Sequence, residues 1–204
     1  MKILLAHANY PEVATTLLPA EAPTTPLLIS KADSALLKNG KPFFIPDSLG
    51  EISAEAELVV RICRLGKTVS ERFAHRYYDA VTIGVSFSAQ ELAQKLQNQH
   101  LPADLAYSFD GAAVIGEWVE KEKFRDVQCL PFNLDINGQT VQEGLTAEMR
   151  TRIDALVSYV SQYYTLKTGD ILYTGCPCMP MPVHINDHLQ GSVDGRQVLD
   201  FMCK

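Results

Sequence analysis

No stretch of this chain is apolar for long enough to cross a membrane as a helix, which would take about 20 consecutive apolar residues. A basic stripe is also missing. Lys and Arg number 18 against 24 Asp and Glu, and the formal net charge of -6 argues against a nucleic-acid partner. The opening Met1-Lys2-Ile3-Leu4-Leu5-Ala6-His7 has too short an apolar core for a signal peptide and reads as a first strand. Cysteines number five, an odd count at no framework spacing, which points to reduced thiols in a cytoplasmic protein. There is no internal repeat, and no histidine between His7 and His75. What remains is a soluble globular chain of 204 residues, 47% hydrophobic and 21% charged, read as one domain over 1–204.

The richest stretch is Glu55-Ala56-Glu57-Leu58-Val59-Val60-Arg61-Ile62. It alternates with period two, so Ala56, Leu58, Val60 and Ile62 share one face and Glu55, Glu57, Val59 and Arg61 the other. Two carboxylates two residues apart on a strand lie roughly 7 Å apart at Cα, within reach of a single hard cation. An ordinary half-solvated outer face is the alternative on this stretch alone.

Elsewhere the pattern is of short strands with a few helices. Strands are expected at residues 2–6, Leu27–Ser30, Val81–Phe87, Val114–Val119 and Ile171–Thr174. Asn39-Gly40, Asn137-Gly138 and Asp194-Gly195 are hairpin signals, the last two between 132–136 and 140–142 and between 189–193 and 196–203. Helices are expected over Ser70–Ala80, with Phe73, Tyr77 and Ala80 on one face, from the Ser88-Ala89-Gln90-Glu91 capping box to about Gln99, and over Glu148–Tyr164. The apolar stripe of the last is Ile153, Leu156, Val157, Val160 and Tyr164. Residues 8–26 read as a surface loop or degenerate lid, Glu117–Asp126 as a solvated face, and Trp118 as core. The fold class is α+β and strand-rich.

Four stretches in order resemble the fumarylacetoacetate hydrolase superfamily. They are Glu55-Ala56-Glu57-Leu58-Val59-Val60, Tyr78–Leu92, Phe109-Asp110-Gly111 through Gly116, and Lys167-Thr168-Gly169-Asp170 through Pro177. The resemblance implies mixed β-sheets in a roll or sandwich with a few flanking helices, and a homodimer. It also implies a hydrolase, isomerase or decarboxylase of small 2-oxo or 2-hydroxydienoic acids that uses Mg²⁺ or Mn²⁺. By that resemblance Glu55, Glu57 and Ser86 occupy the metal-ligand positions, and Gln90, Tyr107, Asp110, Thr174, Gly175 and Cys176 line the substrate pocket.

The chain departs from the family at several of these positions. Ser86 stands where the family has Asp and Tyr107 where it has Lys, so neither carries the expected charge. Gln90-Glu91 replaces Arg-Asp, Cys176 replaces Thr, and Leu145 replaces Asn. Asn9-Tyr10 matches the lid, but the water-activating His would fall near Val13. The expectation is a family member whose catalysis is attenuated or lost. The alternatives are a non-catalytic ligand-binding or dimer-forming homologue, or an active enzyme with an altered site. The loop Cys176-Pro177-Cys178 through His184 has soft-ion donors for Cu(I) or Zn²⁺ on paper, and is read as drift instead. His75 reads as surface; His7 ends the first strand, with the mouth of the site as one reading, and a lone histidine there reads more readily as structural.

Overall fold

The computed structural model describes residues 1–38 and 40–204. Its centre is an antiparallel pair, β4 (Ser53–Ile62) against β5 (Tyr78–Ser88). Ten of the eleven β5 residues are buried, as the run Val81–Phe87 requires of a strand covered on both faces. In the register of this pair Glu55 lies opposite Ser86 and Glu57 opposite Gly84. A Cβ on Gly84 would lie 2.7 Å from the Tyr173 ring and 2.7 Å from Val59, so only glycine fits there.

Around this pair the larger, nine-stranded sheet is mixed. It contains β1 (Ile3–His7), β2 (Leu27–Lys31), β3 (Leu36–Lys38), β6 (Ala113–Ile115), β7 (Val119–Glu120), β10 (Ile171–Tyr173) and β11 (Met181–Pro182). Its main order is β2-β1-β10-β4-β5-β6-β3, with β1–β10 and β3–β6 parallel. The second sheet has four antiparallel strands, β8 (Pro131–Ile136), β9 (Gln139–Leu145), β12 (His188–Val193) and β13 (Arg196–Met202). Both hairpins expected there are present. Asn137 and Gly138 have φ of 54° and 78°, and Asp194 and Gly195 of 49° and 72°, the left-handed pair that such turns need. The Asn39-Gly40 signal includes Asn39, outside the described residues, but β3 pairs with β6 and Phe43–Ile45 bonds to the end of the chain at Met202 and Lys204.

The helices differ most from expectation. Residues 8–26 contain α1 (Pro11–Leu17), opened by a proline at its first position and anchored by buried Val13 and Ala14. The helix expected over Ser70–Ala80 shrinks to α2 (Glu71–Ala74), because the chain from Tyr78 onward pairs with β4 and gains a full ladder. Ser88 does not cap α3 (Gln90–Asn98). It stays in β5, and Ala89 is the N-cap without a side-chain bond. After α3 comes the single turn α4 (Asp104–Tyr107). The last helix, α5 (Ile153–Tyr163), starts late because Arg150 and Thr151 donate backbone N–H groups to Asn9 at 2.7 and 2.9 Å. Its stripe is buried as expected except for Tyr164, which lies past the end and is exposed. The expected strand 114–119 is split into β6 and β7 at Gly116, where a Cβ would lie 2.3 Å from the Val198 carbonyl. Trp118 is half-buried, with the Arg61 guanidinium 5.5 Å above its ring.

Candidate active site

The site begins with a gap in the sheet. On the side away from β5, β4 pairs with β10 through Val59–Arg61 and with β11 through Ser53–Ala54. Between them, no strand among the described residues covers 55–58. Other groups satisfy this backbone, as buried amides demand. The Gln142 side chain accepts the Ala56 N–H at 2.7 Å and donates to Ala54 O at 3.2 Å. The Thr174 hydroxyl donates to Leu58 O at 2.8 Å. Here the chain after β10 swings out through Gly175, whose φ is 104° and whose missing Cβ leaves room for Asn9.

Glu55 and Glu57 point into the space so made. They line a cavity of about 30 Å³ with Lys31, Ser86, Gln90, Tyr107, Cys176 and His7, closed by apolar residues that include Val13 and Leu17 of α1. Ser86, Gln90, Tyr107 and Cys176 thus line one cavity with both glutamates. Three other expected pocket residues are not. Asp110 is exposed in a turn, Thr174 is turned back onto Leu58, and Gly175 contributes a backbone N–H instead of a wall. Nor does the soft-ion loop assemble. His184 is exposed and paired with Asp187, and no three His, Cys, Asp or Glu side chains among the described residues are placed to hold a metal.

Lys31 is a cavity residue that motif reading missed. At the end of β2 it is 5% exposed, and its Nζ donates to Phe87 O at 2.7 Å and Ala112 O at 2.8 Å. Burial drives its pKa down to about 7, against the upward pull of Glu55 and then Glu57. The carboxyls move the other way. Burial raises Glu55, and raises Glu57 well above the usual range with repulsion from Glu55 adding to it. Each has a fixed partner: Gly175 N–H donates to Glu57 Oε2 at 2.5 Å, and Ser88 Oγ to Glu55 Oε2 at 3.4 Å, itself held by Gln90 Nε2 at 2.7 Å. His7 is held below its ordinary value by burial, so it is a neutral imidazole near pH 7. Burial also raises the Tyr107 phenol, which stays protonated, a donor and not a charge. The Tyr10 hydroxyl is buried without a hydrogen-bond partner among the described residues, and burial first of all raises its pKa.

Nothing in the motif pattern pointed to Lys31, since the lysine the resemblance called for falls on Tyr107. The available signal was a lone lysine closing an apolar strand, Leu27-Leu28-Ile29-Ser30-Lys31. As oxygen donors, Glu55, Glu57 and the Ser86 hydroxyl suit a hard ion, and Mg²⁺ is commonly held by one or two carboxylates with waters retained. The donor chemistry therefore fits such an ion, while the Lys31 ammonium opposes it.

The family described as fumarylacetoacetate (FAA) hydrolase C-terminal matches residues 2–198. The mitochondrial oxaloacetate tautomerase of Bos taurus is 33% identical over 174 residues, 85% of this chain and 79% of that protein. Among solved structures, one described as a fumarylacetoacetate hydrolase family protein of Yersinia pestis CO92 superposes with a TM-score of 0.93 at 30% identity, covering 100% of this chain and 93% of that one. The fold is also that of fumarylpyruvate hydrolase from Pseudomonas aeruginosa, solved in complex with Mn²⁺ and pyruvate. The TM-score there is 0.90 at 20% identity, covering 100% of this chain and 89% of that one.

Proposed function

On the premise that the chain belongs to the fumarylacetoacetate hydrolase family, we propose that the cavity beside β4 binds a small 2-oxo acid and moves a proton between its α-carbon and its carbonyl oxygen. The substrate class and the keto–enol reaction come from the relatives named oxaloacetate tautomerase. The observation that carries the reading is the convergence of Lys31 and His7 on the cavity of Glu55 and Glu57. Tautomerisation needs a group that exchanges a proton near neutrality and a group that holds developing negative charge. His7, kept neutral, can accept the proton, and the Lys31 ammonium can hydrogen-bond the enolate oxygen. A bound Mg²⁺ or Mn²⁺ on Glu55 and Glu57 would supply further Lewis-acid stabilisation of that oxygen. C–C hydrolysis is less well supported, because it also needs an activated water and α1 offers only apolar Val13 and Leu17 to the cavity.

The test is decay of enol-oxaloacetate followed by its ultraviolet absorbance. Wild-type protein with Mg²⁺ should accelerate the decay over buffer, and Lys31→Met should remove about 10²–10³ of that rate. A second reading, ligand binding without turnover, is favoured by the uncharged Ser86 and Tyr107. It predicts saturable oxalate binding with no acceleration at all. Acceleration that Lys31→Met and His7→Ala both leave intact would sink the proposed roles.

A further inference from the structure

Lys31 is the buried lysine among the described residues, and it is the sole primary amine among the residues lining the cavity. Its Nζ donates to two uncharged acceptors, Phe87 O at 2.7 Å and Ala112 O at 2.8 Å. No third hydrogen-bond or ion-pair partner of Nζ lies among the described residues. In the ammonium form the third proton is the one offered above to an enolate oxygen. In the amine form both protons rest on the two carbonyls, and the remaining tetrahedral position is a lone pair. Burial with only neutral direct partners disfavours the ammonium and so favours the amine. A lysine desolvated in this way is suited to attack a carbonyl carbon. The other nucleophilic side chains of the cavity, His7, Ser86 and Cys176, cannot form a carbon–nitrogen double bond with a ketone.

We propose that Lys31 is a covalent nucleophile: Nζ condenses with the carbonyl carbon of a 2-oxo acid and holds it in the cavity as an iminium ion. Nζ bonds to the carbonyl carbon as the carbon–oxygen π bond opens onto oxygen. That oxygen leaves as water, carrying one Nζ proton and one proton from solvent. The remaining N–H stays on Phe87 O or Ala112 O, a neutral acceptor for the positive nitrogen. The iminium acidifies the neighbouring α-carbon, whose proton is the one transferred in the reaction proposed above. The covalent bond rests on the 2-oxo acid class of that reading but is not required by it.

The experiment incubates the full chain with pyruvate and sodium cyanoborohydride, which delivers hydride to an iminium carbon and leaves a stable secondary amine. Peptide mass spectrometry then locates the adduct on the wild type, so the result does not depend on a variant folding. Lys31 should carry about tenfold more label than any exposed lysine, because it meets a bound carbonyl and the others a dilute one. Saturating oxalate, which offers two carboxylates and no ketone, should cut the Lys31 label about tenfold and leave exposed lysines unchanged. Label at Lys31 no greater than at exposed lysines, or unmoved by oxalate, overturns the proposal. Calorimetric titration of pyruvate separates the two ways of failing. Saturable binding without label removes the covalent bond and keeps the ligand class, whereas absence of both removes the ligand class as well.

Discussion

The backbone N–H of Gly175 donates to Oε2 of Glu57 at 2.5 Å, tying together residues 118 positions apart. The bond orients one carboxylate of the site and, ahead of the Lys31 charge, favours its ionised form against burial and Glu55. It depends on the left-handed backbone of Gly175, which a side chain would push into Asn9. The loop after β10 therefore acts on the site through its backbone more than through the side chains that the motif match emphasised.

Glu57→Gln should raise the melting temperature near neutral pH. Glu57 has a folded pKa raised well above its ordinary 4.5, by burial first. Stability from such a group is complete below the unfolded value and is lost as pH rises through the folded one. Glutamine removes the buried charge and keeps a carbonyl for the Gly175 N–H. A gain of about 1 kcal/mol, or roughly 2–4 °C, is expected at pH 7–8 and none at about pH 4. Scanning calorimetry at both values checks it; an equal shift at the two would remove the charge as the cause.

Gln142→Leu should destabilise the fold by about 2–3 kcal/mol. The Gln142 side chain accepts Ala56 N–H and donates to Ala54 O and to Met179 O, bridging the gap in the sheet beside the two glutamates. Leucine removes the buried partner of the Ala56 N–H and Ala54 O. Urea unfolding should show a lower midpoint with an unchanged slope, and a change within 0.5 kcal/mol (about the scatter of surface substitutions) would contradict the bridge.

Gly84→Ala should cost about 1–3 kcal/mol or more. The new Cβ would meet Tyr173, Val59 and the Val114 carbonyl, all under 3.0 Å, in the strand directly opposite Glu57. Because Tyr173 is pinned by its own hydrogen bond to Val114 O at 2.8 Å, the ring has little freedom to retreat. Thermal unfolding measures the loss, and a neutral outcome would mean that the packing around β5 is looser than described.

Thiol alkylation should separate the five cysteines. Cys129 is exposed and should react first, while Cys176 and Cys203 are buried. Burial lifts the Cys203 thiol to about 12, and burial with Glu55 lifts Cys176 well above the usual range, so neither supplies thiolate near pH 7. Mass spectrometry of timed labelling should find Cys176 and Cys203 modified only on unfolding. Rapid labelling of Cys176 in the folded protein would instead mean that α1 opens the cavity readily.

The sequence by itself determined the elements whose cause is local. Asn137-Gly138 and Asp194-Gly195 are hairpins because those residue pairs accept the backbone their turns need. The alternation at 55–62 put both glutamates on one face, and the ordered motifs placed the chain in its family. It could not decide elements that compete for partners. Tyr78 and Ala80 read as helix until a ladder with β4 outbid that propensity, and Ser88 read as a cap until Glu55 and Gln90 drew its hydroxyl into the site. Above all, only the tertiary structure brought Lys31 from β2 and His7 from β1 to the glutamates of β4. Charge balance in a buried cavity is set by distance in space, and neither residue stands near Glu55 or Glu57 along the chain.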